Sequence, residues 1–394
     1  MLVATAGKLL PTAITGSLPR PSWYTENLGP RDFLDAMVEI RYREQYEDAV
    51  SVYIRDQELA GLDILTDGDC RFDDDIGGQS WTRYPAMHME GFDRGDPRLA
   101  KAGAGGLAFP RGHILHDYLE ARVMPAIIGP VGRGDLQYAE IWKVAQRLTT
   151  KPVKFGTVTP ELLAFAVQDT YYKDLPERIM AISDAFNAEL HDLADAGCAV
   201  IQMEEPQIHL LAARGVVDSV INPEFMLEVF NNTVKGLREK VEVWCHTCWG
   251  NPSQQRMFGS VQSYAGALEL LAQVDADVIT FETRSSGEAD LPAIGATITQ
   301  QKVGIGVIDH HTLQVESPAE VATAVRSALE HVPAERLVLS TDCGLGREGM
   351  RRRHALYKMA SLVQGTNIVR SELGIEPAPC LIADPRFSLV RSSA

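Results

Sequence analysis

Residues 241 to 248 read Val-Glu-Val-Trp-Cys-His-Thr-Cys. Val241, Val243 and Trp244 have the pattern of a buried strand, and thiol and imidazole groups arrive at its end. On extended backbone, residues i and i+2 share a face, so His246 and Cys248 should project together as half of a metal site. Other apolar runs end in the same way: Asp67 and Asp69; Thr157 and Thr159; Glu204 and Glu205; Glu282; Asp309, His310 and His311; Asp342 and Cys343. A single polar residue at such a place is commonly a helix cap. Seven strand ends carrying them together describe a lined cavity. From this set His246, Cys248, Glu282 and Cys343 offer N, S, O and S donors, which zinc accepts in tetrahedral geometry. They come from three strands rather than one short motif, so the fold would preform the site, which favours a reactive role over a structural one. The competing reading is two buried thiols and a hydrogen-bonded core histidine. A redox pair of Cys245 and Cys248 is disfavoured, because Cys245 should face the other way. A thiolate-ligated zinc is a modest Lewis acid, suited to holding an external thiol as a nucleophile. Activation of water for hydrolysis is the alternative use.

The elements that must position these groups alternate regularly. Strand candidates are 12–17, 63–69, 122–128, 152–158, 199–205, 241–246, 277–282, 303–309 and 337–342. Helical spacing covers 31–60, closed by Gly61, and then 135–149, 178–196, 223–239, 260–274 and 318–330. Most of the strands are continuous apolar runs, the pattern of parallel strands buried on both faces. Alternating β and α over this length predicts a (β/α)8 TIM barrel with its chemistry at the C-terminal strand ends; a doubly wound open sheet is the runner-up. Nine candidates compete for eight places, and 122–128 is the one expected to lie outside. Residues 73–120, rich in Gly, Asp and Arg, read as an insertion that could cover the site opening. The whole chain, 1–394, is expected to form one catalytic domain.

Composition excludes several classes. The formal net charge is −16, and most of the chain shows none of the basic clustering that a nucleic-acid binder would carry. The one basic run, Arg351 to Arg353, reads as a solvated helix start. No stretch of eighteen apolar residues is present to span a membrane. The six cysteines are sparse and irregular, unlike a secreted disulfide framework, and the N-terminus makes a poor signal peptide. The cytoplasm is the expected compartment. The expected partners are small molecules, with room left for a homo-oligomer.

Taken in order, these pieces resemble the catalytic domain of cobalamin-independent methionine synthase and its relatives, in the barrel superfamily that also holds uroporphyrinogen decarboxylase. The matching segments are Ile14-Thr15-Gly16-Ser17-Leu18-Pro19, Leu65-Thr66-Asp67-Gly68-Asp69, Gly134-Asp135 to Lys151-Pro152-Val153-Lys154, Gln202-Met203-Glu204-Glu205-Pro206, His246-Thr247-Cys248, Phe281-Glu282-Thr283-Arg284, Gly306 to His311 and Asp342-Cys343-Gly344-Leu345. The chain looks like a single-barrel short form. The resemblance implies zinc held by His246, Cys248, Glu282 and Cys343, with homocysteine as the thiol and a methylated folate as the donor. It also implies that Gly16 and Ser17 contact the amino-acid carboxylate, and that Asp69 and Glu204 hold its ammonium. His311 matches a histidine that assists proton movement, and Asp309 is grouped with it as a catalytic candidate.

The departures bear on the substrates. Asp69 stands where the family usually has Glu, and Glu204-Glu205-Pro206 where it has Asp-Glu-Pro. Gly156-Thr157-Val158-Thr159 replaces Gly-Pro-Val-Thr, and the tryptophan that packs on folate is missing after it. Met124-Pro125-Ala126 lacks the expected cation of the folate region. The zinc half of the site therefore carries over better than the donor half. The leading expectation is transfer of a methyl group to homocysteine from a methylated folate or another methyl compound. The alternative is a relative that adds coenzyme M to an epoxide, whose sulfonate would want cations such as Arg20, Arg347 or Arg351 to Arg353. A non-catalytic zinc- or thiol-binding barrel is the reading from another class; the dense polar strand ends argue against it.

Overall fold

The computed structural model describes residues 4–72, 80–93, 124–204, 206–216, 219–249, 262–346, 350–384 and 386. Its strands are β1 (Leu65–Thr66), β2 (Glu90–Phe92), β3 (Ile127–Gly132), β4 (Val153–Val158), β5 (Val200–Glu204), β6 (Glu242–Thr247), β7 (Val278–Phe281), β8 (Lys302–Ile308) and β9 (Leu337–Thr341). Seven of them form one parallel sheet in the order β1-β4-β5-β6-β7-β8-β9. An irregular eighth stave joins its two edges. Thr12 bridges in parallel to Leu339 of β9, and the Thr12 carbonyl accepts the N–H groups of Asp63 (3.0 Å) and Ile64 (3.1 Å) on the approach to β1. The sheet therefore curls as the barrel pattern requires.

The surplus strand lies outside this sheet. It runs over Ile127–Gly132, later than the expected 122–128, and pairs antiparallel with Glu90–Phe92. The expected strand 63–69 keeps only two ladder residues, because Gly68 (φ 81°) and Asp69 (φ 45°) leave the extended region. Of the expected insertion, residues 80–93 supply the helix Ser80–His88 and β2. Residues 73–79 and 94–120 lie outside the described residues, and so does the expected cover over the site.

Helices follow most barrel strands. The long helix Ile40–Ala60 ends where Gly61 turns left-handed at φ 92°, as its position predicts. The expected helix 31–60 has a separate first turn, Phe33–Ala36. The expected 223–239 helix stops at Thr233, with a 3-10 turn over Leu237–Glu239 after Gly236 at φ 77°. Between 260 and 274 only Leu268–Leu271 is α-helical among the described residues. Ser317 and Glu320 close a reciprocal capping box on the helix Pro318–Leu329. No helix among the described residues is long and apolar enough to cross a membrane.

The period of two along each strand sorts the side chains. Val243, Cys245, Ile201, Met203, Val153 and Phe155 belong to the large apolar cluster. Val200, Trp244, Val278 and Val338, on the opposite parity, fill a smaller one with Ala13 and Ile64. The next positions up that inner face are Gln202, His246, Thr280 and Ser340. The ends of the strands beyond them carry the polar groups.

Candidate active site

His246 closes the inner face of β6 and is fully buried. Its Nδ1 lies 2.7 Å from Thr280 Oγ1 on β7, while Nε2 has no hydrogen-bond partner. With Nδ1–H donating to the hydroxyl, Nε2 presents a lone pair to the cavity. Cys248 shares this face, as its spacing predicts, and its Sγ lies 3.4 Å from Cys343 Sγ at the end of β9. One donor atom from each of His246, Cys248 and Cys343 falls within 4.8 Å of the others, and all three residues are buried. A buried ring nitrogen lacking a partner beside two thiols is a donor set that a borderline-soft metal such as zinc accepts. Cys245 faces the other way, into the apolar cluster, and burial holds its thiol well above the ordinary range.

Glu282 is placed differently from the other three expected ligands. Its Oε1 accepts from the Ser285 hydroxyl at 2.5 Å and its Oε2 from the Trp249 N–H at 2.8 Å. The potential ligand group it joins is with His310 and His311. Burial raises its pKa, the two hydrogen bonds work against that, and the nearby Cys343 raises it further. The carboxylate thus borders the N/S/S cluster while bonded to the loop that carries Cys248. His311 Nδ1 lies 3.1 Å from Asp309 Oδ1, and His311 Nε2 has no hydrogen-bond partner. Burial raises the Asp309 carboxyl, but the hydrogen bonds from His311 prevail and hold it down at about 2.

A second set of groups converges on β1, β4 and β5. Asp69 is buried, and neither of its oxygens has a hydrogen-bond partner. Glu204 faces the same space: its Cα pairs with that of His246 across the β5–β6 ladder. Two glycines make room for these acids. A Cβ on Gly16 would lie 1.8 Å from Asp69 Oδ2, and one on Gly156 would lie 2.9 Å from Glu204 Oε1 and 3.0 Å from Asp69 Oδ1. Burial first, and then the neighbouring Asp67, push Asp69 up to about 7 against the pull of Arg71. Burial and the charge of Asp69 raise Glu204 well above the carboxylate range, and Cys343 adds to that. Acids and thiols thus share one electrostatic neighbourhood. Ser17 is buried beside Gly344, whose Cβ would meet the Ser17 hydroxyl at 2.0 Å, and the Ser17 carbonyl accepts the N–H groups of Leu345 and Gly346.

Several supporting residues had no role assigned from sequence. Lys154 is the one charged residue of β4, which was the available signal. Its Nζ donates to the carbonyls of Ile14 (2.8 Å) and Thr15 (2.9 Å) and to Gln202 Oε1, and it sits 4.6 Å from the Trp244 ring centroid. Gln202 Nε2 then donates to Glu204 Oε1 at 2.8 Å and to the Thr15 carbonyl at 2.7 Å. Arg71, equally buried, donates to the Gly156 carbonyl at 3.0 Å and stands 3.8 Å from both Asp67 and Asp69. Tyr264 donates its hydroxyl to the Thr247 carbonyl and accepts the Glu282 N–H, tying the ends of β6 and β7.

Among the described residues, the cations named from sequence for a sulfonate are paired or exposed. Arg20 donates to Asn27 Oδ1 at 2.7 Å and lies over the Tyr24 ring, and Arg352 pairs with Asp56. Arg351 and Arg353 are exposed at the start of the helix Arg352–Glu372. Arg347 and Glu205 lie outside the described residues.

Comparison with known proteins agrees with this architecture. A methionine synthase from Saccharolobus solfataricus is 26% identical over 366 residues, covering 93% of this chain and 96% of that protein. A 2-hydroxypropyl-CoM lyase from Xanthobacter autotrophicus is 28% identical over 404 residues, covering 95% and 98%. The solved structure of a B12-independent methionine synthase from Shewanella sp. W3-18-1, in complex with selenomethionine, shares the fold with a TM-score of 0.72 at 24% identity, over 93% of this chain and 99% of that one. The model of the cobalamin-independent synthase catalytic domain matches residues 89–365, and the chain belongs to that family of methyl- and alkyl-transferring enzymes.

Proposed function

We propose that the chain transfers a methyl group to a thiol that carries an ammonium, with homocysteine as the acceptor and a methylated folate or another methyl compound as the donor. The observation that carries this reading is the Asp69–Glu204 pair, two buried carboxylates converging beside the thiol cluster. Asp69 lacks hydrogen-bond partners for both oxygens. Burying two acids together is costly unless cations offset it. Lys154 and Arg71 do so only in part, since both carboxyls stay raised, and a substrate ammonium would supply a further cation when bound. Coenzyme M, a sulfonate, would meet these acids with the wrong sign. Two buried cations of the chain already act on the pair: Arg71, which also faces Asp67, lies 3.8 Å from Asp69, and Lys154 lowers both carboxyls.

His246, Cys248 and Cys343 would hold zinc, with Glu282 bordering them as a candidate fourth ligand. A zinc ion bound there would lower the pKa of the substrate thiol, about 8.5 when free, so that it enters the reaction as thiolate. The residues of the chain do the rest. Asp69 and Glu204 take the ammonium, and the buried turn at Gly16 and Ser17 takes the other end of the amino acid. In the transfer, the sulfur lone pair forms the new S–C bond as the methyl–donor bond breaks, and that electron pair leaves with the donor. His311, oriented through Nδ1 by Asp309 and open at Nε2, is placed to pass a proton to the departing group.

Calorimetry on zinc-loaded protein tests the reading. Homocysteine should bind with release of about one proton, and coenzyme M should bind far more weakly. Asp69→Asn should weaken homocysteine tenfold or more and leave a thiol without an ammonium nearly unchanged. Preferential binding of coenzyme M would transfer the proposal to thiol addition across an epoxide.

A further inference from the structure

Asp342 precedes Cys343 at the end of β9, and the transfer described above does not use it. Its side chain is fully buried. Oδ1 accepts the N–H groups of Thr283 and Arg284, each at 2.9 Å, and Oδ2 accepts that of Ser285 at 2.7 Å. Three consecutive amides closing on one carboxylate form an anion nest. These amides belong to the turn directly after Glu282. Ser285 in turn donates its hydroxyl to Glu282 Oε1, and Glu282 Oε2 accepts the Trp249 N–H, one residue beyond Cys248. A continuous line of bonds therefore runs from the Cys343 loop, through the 282–285 turn, to the Cys248 loop.

The neighbouring strand is shaped around this carboxylate. A Cβ on Gly306 would lie 2.1 Å from Asp342 Oδ1 and 2.7 Å from Asp342 Cα, so no larger residue fits without displacing the acid. The β8–β9 register shifts between Gly306 and Ile308, and the Asp342 N–H donates to the Ile308 carbonyl at 2.9 Å. A glycine and a bulge thus accommodate one buried acid, which also lies within reach of Asp309 and His310, the three offering ligand atoms within 4.8 Å of one another.

We infer that Asp342 is a positioning residue for the metal centre: by gathering the 283–285 amides it fixes Cys343 against Glu282 and, through Glu282 and Trp249, against Cys248. This rests on the reading of His246, Cys248 and Cys343 as metal ligands. The rival account is that Asp342 only closes a turn. A closed turn would stabilise the metal-free and metal-bound protein alike and leave metal affinity unchanged. A positioning residue alters affinity and ligand field.

The test compares Asp342→Asn, Gly306→Ala and Ser285→Ala with the wild type. An asparagine amide offers one acceptor oxygen and an NH2 donor, so at least one of the three amide bonds is lost. Zinc affinity is read by competition with a chromophoric chelator, and geometry by the thiolate-to-cobalt absorption of the Co(II)-loaded protein. Asp342→Asn is expected to bind zinc at least tenfold more weakly, with a diminished cobalt band and a near-native circular dichroism spectrum. Gly306→Ala should act in the same direction by crowding the carboxylate. Ser285→Ala, which removes only the hydroxyl bond to Glu282, should lose less. Wild-type affinity and spectrum in folded Asp342→Asn overturn the inference and leave the metal site standing. Should Asp342→Asn not fold, the same result in Gly306→Ala or, failing that, in Ser285→Ala overturns it. A wild-type protein that takes up neither zinc nor cobalt removes the metal reading, and the inference with it.

Discussion

Asp69 shows what a single residue contributes when its environment opposes its charge. Its backbone is left-handed at φ 45°, unusual outside glycine but tolerated best by Asn and Asp. The turn aims a short carboxylate at the place where Gly16 and Gly156 have no side chains. Burial raises its pKa from 3.8 to about 7. Between those values the folded protein holds a proton that the unfolded chain has lost, so the contribution of this group to stability falls as pH rises from about 4 to about 7 and is level above. Metal-free protein should therefore melt several degrees lower at pH 8 than at pH 5.5 on account of this group, and Asp69→Asn should remove that part of the difference. Scanning calorimetry of the two proteins at both pH values checks this. If Asp69→Asn keeps the whole pH difference, the strain lies elsewhere, and the case for a bound ammonium weakens with it.

At the level of the element, Lys154 has the most to do. The eighth stave, around Thr12 to Gly16, has little regular ladder of its own. A buried ammonium on β4 takes its place by holding the carbonyls of Ile14 and Thr15. The same ammonium fixes the Gln202 amide, which aims Glu204. Burial lowers its pKa to about 8, with Glu204 and Asp69 holding it up. Lys154→Met keeps the length but leaves buried acceptors unpaired and takes from the two acids one of their cations. Removing one partner of a buried charge network costs about 3–5 kcal/mol, so the urea midpoint of the metal-free protein should fall markedly, and an unmoved midpoint would contradict the role. This layer was the least legible in the sequence. The barrel rhythm, the outlying strand near Ile127 and the common face of His246 and Cys248 follow from periodicity, which is local. The Lys154–Gln202–Glu204 line begins with a lysine bonded to a carbonyl 140 residues away, that of Ile14, and nothing local encodes which carbonyl a lysine will meet. Asp342 could be seen as a strand-end acid for the same reason as Cys343, but its three amide partners 57 to 59 residues away could not. The turn of Glu282 onto Trp249 and Ser285 was equally hidden, because donor type alone made it look equivalent to the thiols.

For the molecule as a whole, charge separates the two thiols. Asp and Glu number 53 against 37 Lys and Arg, a net charge of −16. Homocysteine at neutral pH is a zwitterion of zero net charge, whereas coenzyme M is an anion. A protein field of this sign slows the approach of an anion at low ionic strength, where the Debye length is about 30 Å at 0.01 M, and much less at 0.15 M, where it is about 8 Å. Association of coenzyme M with the zinc-loaded protein should therefore quicken several-fold as salt rises from 0.01 to 0.15 M, while that of homocysteine should stay within about twofold. Stopped-flow measurement of both thiols decides it, because the long-range field and the pocket are then read separately. If coenzyme M associates faster at low salt instead, a local positive field must dominate at the barrel mouth. The exposed Arg351 and Arg353 would be the first residues to neutralise, and the balance between an ammonium-bearing and a sulfonate-bearing thiol would shift toward the sulfonate.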